Sequence, residues 1–189
     1  MAREIFVCYL PADSALLQKH WLNKIAAWWA GKPEDGRKCP MIHCELFLPN
    51  EQQCNSANDT VRGVACGIHY GGTVFFHNKE FSRKSWCFRP LSVSESQFDN
   101  LKTWCHQRAE KRDDFNKVGF FCGTPNSLNI STPRQNWFCS QLVGAALRDC
   151  NIVDLQETQM THPESLYVAL QPFTYLATVR NVKGLGFAV

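Results

Sequence analysis

The stretch NWFCSQLVGAALRDC, residues 136–150, sets a cysteine near the head of an amphipathic helix. Cys139, Leu142, Val143, Ala146, Leu147 and Cys150 recur at helical spacing and form one apolar stripe. Asn136 is a good N-cap residue, which predicts Cys139 as the third residue of the helix. At that place the positive end of the helix dipole and the unpaired N–H groups favour thiolate over thiol. Thiolate is the nucleophilic form, and the backbone N–H of Cys139 is placed to donate to a developing oxyanion. The same stripe also suits an ordinary buried cysteine, which behaves as a small hydrophobe. Both readings turn Cys139 toward the core, so the helix alone does not separate them.

A nucleophilic cysteine needs a base, and the strand-like segment MIHCELFLP (41–49) offers one. Period-two alternation puts His43, Glu45 and Phe47 on one face and Ile42, Cys44 and Leu46 on the other. A carboxylate beside an imidazole orients the ring and stabilises the imidazolium, as the third member of a Cys–His pair does. Burying a histidine and a glutamate on one face of an apolar strand is costly unless they serve each other. A lone strand histidine, in contrast, is commonly a satisfied core residue. His69, on the next predicted strand, is the alternative orienting residue. His20, His77, His106 and His162 fall on helix surfaces, a strand end or a loop and read as structural or exposed.

The remaining elements follow from pattern and punctuation. Residues 4–10 read as a strand stopped by Pro11, and 14–30 as a helix with Leu16, Leu17, Trp21, Ile25 and Trp28 at helical spacing. Residues 31–38 are a loop by composition. The segments 61–70 and 72–77 form a predicted hairpin around Gly71, and 85–89 a further strand. Ser94 and Gln97 match a capping box opening a helix to about 112, with Phe98, Leu101 and Cys105 facing inward. Residues 115–136 read as irregular, Pro163 starts a short helix, and TYLATVRNV (174–182) reads as a closing strand. The sum is one α+β domain over residues 1–189, an antiparallel sheet packed against a few helices, the Cys139 helix among them.

Composition narrows the function classes. With 189 residues and 44% apolar side chains, including six Trp and thirteen Phe, the chain can bury a substantial core. A net charge of +3 with bases and acids mixed, as in QRAEKRDD (107–114), argues against a nucleic-acid partner. The opening MAREIFVCYLPADSA lacks the extended apolar core of an export signal. The run WLNKIAAWWAG (21–31) is too short to span a bilayer, although it can lie on a lipid or membrane surface. The ten cysteines sit mostly in apolar segments, and no CxxC pair occurs. Free thiols in a reducing, cytoplasmic compartment are therefore expected, with no disulfide framework, structural metal or cofactor.

Taken in order, a strand, an aromatic-rich helix, PMIHCEL (40–46) and WFCSQLVGAALRD (137–149) resemble the circularly permuted branch of NlpC-type papain-like cysteine hydrolases. Its members include YiiX-like bacterial proteins and proteins of large DNA viruses. FNKVGFF (115–121) and HPESLY (162–167) resemble the segments flanking the cysteine helix of that branch, so the likeness spans most of the chain. The resemblance implies a papain-like core, with Cys139 as nucleophile, His43 as base and Glu45 as orienting acid. Gln141 stands where many relatives have Glu, and Cys44 where an aliphatic residue is common. The expected activity is hydrolysis of an amide, a peptide or isopeptide bond of a peptide or protein substrate, through an acyl-enzyme. A lipid ester or thioester acyl hydrolase or transferase is the enzymatic alternative, and an idle binding or virion-associated module the non-enzymatic one. The Asn-Cys-Glu-His start of lecithin-retinol-type acyltransferases is absent from the Cys139 segment, which argues against acyl transfer. A viral origin would place the protein in the host-cell cytoplasm.

Overall fold

Five strands, β1 (Ala2–Pro11), β2 (Met41–Pro49), β3 (Thr60–Gly67), β4 (Phe75–Ser82) and β5 (Cys87–Ser94), form one antiparallel sheet in the order β4-β3-β2-β1-β5. The structure is a computed structural model describing residues 2–17, 21–50, 59–117 and 136–173. β1 and β2 are interior strands, and β2 is buried almost throughout, His43 being its one half-buried position. β5 is an edge strand, where Pro90 is tolerated because a missing N–H there costs no ladder bond.

Among the described residues, four α-helices accompany the sheet: α1 (Trp21–Ala30), α2 (Glu95–Lys111), α3 (Cys139–Asp149) and α4 (Pro163–Ala169). One sheet face supplies Tyr9, Cys44, Leu46 and Leu48 to a core completed by Leu101 of α2, Leu142 and Val143 of α3 and Leu166 of α4. Each such buried aliphatic side chain contributes roughly 1.5–3 kcal/mol of transfer free energy. The other face carries a second cluster of Cys8, Phe47, Ala65, Phe81 and Trp86, with the Phe81 and Trp86 rings edge-to-face at 4.8 Å. The architecture is therefore α+β, a five-stranded antiparallel sheet with helices, as the alternation and capping patterns predict.

The capping box of α2 forms as predicted, Gln97 N–H donating to Ser94 Oγ at 3.2 Å and Ser94 N–H to Gln97 Oε1 at 2.9 Å. The helix stops where Arg112 turns left-handed at φ 52°. The predicted hairpin is present, with its strands at Thr60–Gly67 and Phe75–Ser82 and a longer connection than expected. The strand expected at 85–89 runs instead over Cys87–Ser94, paired along β1. The predicted closing strand at 174–182 lies outside the described residues.

Three expectations need correction. The helix expected over 14–30 begins, within the described residues, at Trp21, and residues 12–17 turn instead, with Leu17 N–H bonded to Ser14 O at 2.9 Å. Its predicted apolar stripe is not its inward face: Leu16, Trp21 and Trp28 are 62%, 59% and 80% exposed, while Leu22 is buried. The helix is rotated because Leu22, Ala26 and Trp29 line a cleft, a tertiary choice that periodicity in an almost wholly apolar run leaves open. Finally, Phe138 rather than Asn136 is the N-cap of α3, which makes Cys139 its first residue. Asn136–Trp137 (β7) pair in parallel with Asp114–Phe115 (β6), and this bridge draws the backbone out of helical geometry before Phe138.

Candidate active site

β2 positions the first half of the site. Glu45 is fully buried and accepts from His43 Nε2 at 3.0 Å, the pair that period-two alternation puts on one strand face. With Nε2 engaged, the other ring nitrogen, Nδ1, is left for a further partner. The β2–β3 ladder ends at Leu46↔Cys66, so the β3 side of β2 is open at the level of His43.

α3 brings the second half. It packs against β2 and β3, and its first residue, Cys139, meets β2 at His43 and Cys44. Around the Cys139 sulfur stand the Cys44 thiol and backbone N–H and the His43 imidazole, the groups that act on its ionisation. The first N–H groups of a helix lack intrahelical acceptors, and in α3 these begin with Cys139 and Ser140. Gln141 fixes the turn by accepting the Phe138 N–H at 3.1 Å.

The electrostatics follow from these contacts. The Cys44 hydrogen bond, joined by the charge and hydrogen bond of His43, holds the Cys139 thiol well below its usual range against the opposing effect of burial. Burial pushes the Cys44 thiol far up, so it stays a donor. For His43, burial opposes the imidazolium, but the Cys139 thiolate and the Glu45 carboxylate outweigh it and raise the group to about 10. Both shifts favour the thiolate–imidazolium form of the pair. Burial raises Glu45, yet its bonds to His43 and Lys79 prevail and keep it below the usual carboxylate range.

Lys79 is the residue that sequence reasoning missed. Its Nζ lies 2.7 Å from both Glu45 oxygens, from β4, across the intervening β3. Between them β3 presents Gly63, Ala65 and Gly67 on this face, with Val61 farther along beside Phe81, which leaves room for the lysine to cross. A Cβ added at Gly67 would stand 2.9 Å from Glu45 Cγ and 2.8 Å from Phe75 Cζ. A signal was present: Lys79 alternates with Phe75 and Phe81, the pattern of a charge on an apolar strand face. Cys44 carries no such signal, since alternation puts it on the face opposite His43 and only the docking of α3 reaches both.

His69 stands near the group in a different role. Its Nε2 is 3.8 Å from Glu45 Oε1, and its ring stacks on His43 at 5.3 Å and on Phe75 at 5.0 Å. It is 60% exposed, and burial together with the His43 charge lowers it. Of the two candidates, Glu45 is the one hydrogen-bonded to the His43 ring, accepting from its Nε2. His162 donates from Nε2 to Ala26 O at 3.2 Å and accepts the Glu164 N–H on Nδ1 at 3.2 Å, tying α1 to α4. His77 and His106 are exposed, and His20 lies outside the described residues.

Ligand atoms of His43, Glu45 and His69 lie within 4.8 Å of one another, a spacing a metal ion accepts. The Lys79 ammonium on both Glu45 oxygens opposes a cation there. The eight described cysteines are free thiols. Among the described residues no helix is long and apolar enough to cross a membrane. Cys139 and His43 open onto a cleft of about 850 Å³ whose walls include Leu10, Leu22, Ala26 and Ile68. No family model matches the chain, and neither a curated protein nor a solved structure is significantly similar to it.

Proposed function

We propose that the protein is a cysteine hydrolase of permuted papain-like type, opening an acyl bond, an amide in the first instance, through Cys139. The observation that carries this reading is Cys139 facing one cleft with His43, whose ring is hydrogen-bonded to the buried Glu45. The Cys139 thiolate adds to the substrate carbonyl, and the N–H groups at the start of α3 receive the oxyanion. The His43 imidazolium gives its proton to the leaving atom as that bond breaks. Water then attacks the acyl-enzyme, passes a proton to His43, and frees the acid and the thiolate. Glu45 holds the ring and its charge throughout, and Lys79 holds Glu45 ionised. The order of the parts, histidine strand before cysteine helix, supports the permuted arrangement.

An ester or thioester of a lipid is the second reading, favoured by the apolar walls of the cleft. Alkylation at mildly acidic pH tests the shared chemistry. Iodoacetamide followed by peptide mapping is expected to modify Cys139 well before the other nine cysteines, and His43→Ala to abolish that preference. Uniform slow labelling would favour an idle binding module and refute the hydrolase.

A further inference from the structure

We propose that Cys139 and Cys44 form a reversible peroxide-reactive pair, Cys139 taking the oxidant and Cys44 closing a disulfide from β2 to α3. This inference rests on the hydrolase reading and adds a regulation of the same site. The two residues come to one point from different elements. Cys139 is the first residue of α3 and lines the cleft. Cys44 belongs to the helix-side core of β2, is fully buried, and is not among the residues lining the cleft. α3 packs on β2 with the Cys44 thiol and backbone N–H at the Cys139 sulfur. That sulfur faces the cleft and is backed by a second thiol.

Oxidation of a cysteine needs a thiolate that the oxidant can reach. Cys139 meets both conditions, with the His43 imidazole beside it and a cleft of about 850 Å³ in front, ample for hydrogen peroxide. Cys44 meets neither, since burial pushes its thiol far up and it lies behind the cleft wall. One sulfur of the pair is therefore oxidised, and the other remains a thiol that resolves it. Cys66 and Cys105 supply a contrast in the same core. They also neighbour each other, but are 2% and 0% exposed and neither lines the cleft. A sulfenic acid left without a resolving thiol proceeds to sulfinic acid, which thiols do not reverse. Captured by Cys44, Cys139 is stored as a disulfide and returns to service on reduction.

The steps balance with hydrogen peroxide as the oxidant. The Cys139 thiolate attacks one peroxide oxygen, the O–O bond breaks, and the departing hydroxide takes the His43 proton to leave as water. The Cys44 sulfur then attacks the Cys139 sulfur, the S–O bond breaks, and hydroxide leaves with the Cys44 proton as a second water. Two electrons pass from the two sulfurs to the peroxide. A dithiol such as dithiothreitol returns them.

Brief hydrogen peroxide treatment of the full chain, followed by alkylation and peptide mapping without reductant, tests the pair. The expected product is the Cys44 peptide joined to the Cys139 peptide and lighter by two hydrogens, with Cys66 and Cys105 still thiols. Dithiothreitol is then expected to restore nearly all the iodoacetamide labelling of Cys139. Cys44→Ser keeps a group of similar size but no resolving sulfur. Measured against its own untreated labelling, its recovery is expected to fall at least about fivefold below the native chain's, with sulfinic acid at Cys139. A native chain whose Cys139 takes iodoacetamide, yet is carried by peroxide to sulfinic acid with no linked peptide, would overturn the pair and leave the hydrolase standing. Linkage of Cys66 to Cys105 as complete as that of Cys44 to Cys139 would also overturn it, since proximity alone would then suffice. A Cys139 inert to both reagents would defeat the hydrolase reading and the pair with it. The native-chain map decides by itself if Cys44→Ser does not fold.

Discussion

Replacing Cys44 with alanine removes the thiol that donates to the Cys139 sulfur and leaves the backbone N–H of residue 44, His43 and Glu45 in place. A hydrogen bond to a charged acceptor contributes about 1.5–3 kcal/mol, and a thiol is a weak donor, so the lower end applies. About 1.4 kcal/mol of differential stabilisation of thiolate over thiol corresponds to a tenfold change in their ratio. The sign is definite: the donor favours the charged form, so its loss raises the Cys139 pKa and moves the acidic limb of reactivity to higher pH. At a fixed pH on that limb, iodoacetamide should modify Cys139 about tenfold more slowly in Cys44→Ala than in the native chain. Well above the limb the two rates should converge. Cys44→Ser, which restores a donor of similar size, should recover most of the loss. Far-ultraviolet circular dichroism and a thermal melt separate this effect from unfolding, since Cys44 is fully buried in the helix-side core. If folded Cys44→Ala kept the native limb, the Cys44 hydrogen bond would have no part in forming the thiolate, and His43 and the helix start would have to account for it.

Glu45→Gln is expected to cut turnover sharply and to move the alkaline limb below the native value near 10, because the imidazolium loses its carboxylate. His69→Ala should change turnover far less, and a pH–rate profile showing the reverse ranking would transfer the orienting role to His69. Lys79→Met removes the cation from a fully buried carboxylate, leaving it the His43 hydrogen bond and His69 at 3.8 Å, and should raise the Glu45 pKa and weaken activity at acidic pH. An unchanged acidic limb in folded Lys79→Met would refute that coupling. Gly67→Ala forces a methyl group against Glu45 Cγ and Phe75 and is expected to cost about 1–3 kcal/mol by denaturant titration, with turnover falling as well. A native stability and rate would show that the Glu45 side chain can move aside freely.

The local parts of this protein are written in short stretches of its sequence. Ser94 and Gln97 announce α2, and Pro163 the start of α4, because capping depends only on residues within one turn. His43 and Glu45 are legible as neighbours because strand alternation is a property of the strand itself. Cys139 is legible at a helix start for the same reason, although its place in the first turn depends on β6 and β7, which pair across residues distant in the chain. Tertiary structure alone decided the rest. Lys79 reaches Glu45 through the registers of two ladders and the small residues of β3 between them. Cys44 and His43 point to opposite faces of β2, yet both meet one sulfur, because α3 docks where β3 leaves the strand. The inward side of α1 was hidden because an apolar helix carries too little contrast to orient itself, and only the cleft it lines sets its rotation. Local rules fix what a residue's own segment makes of it, whereas partners separated along the chain meet only when the whole core is packed.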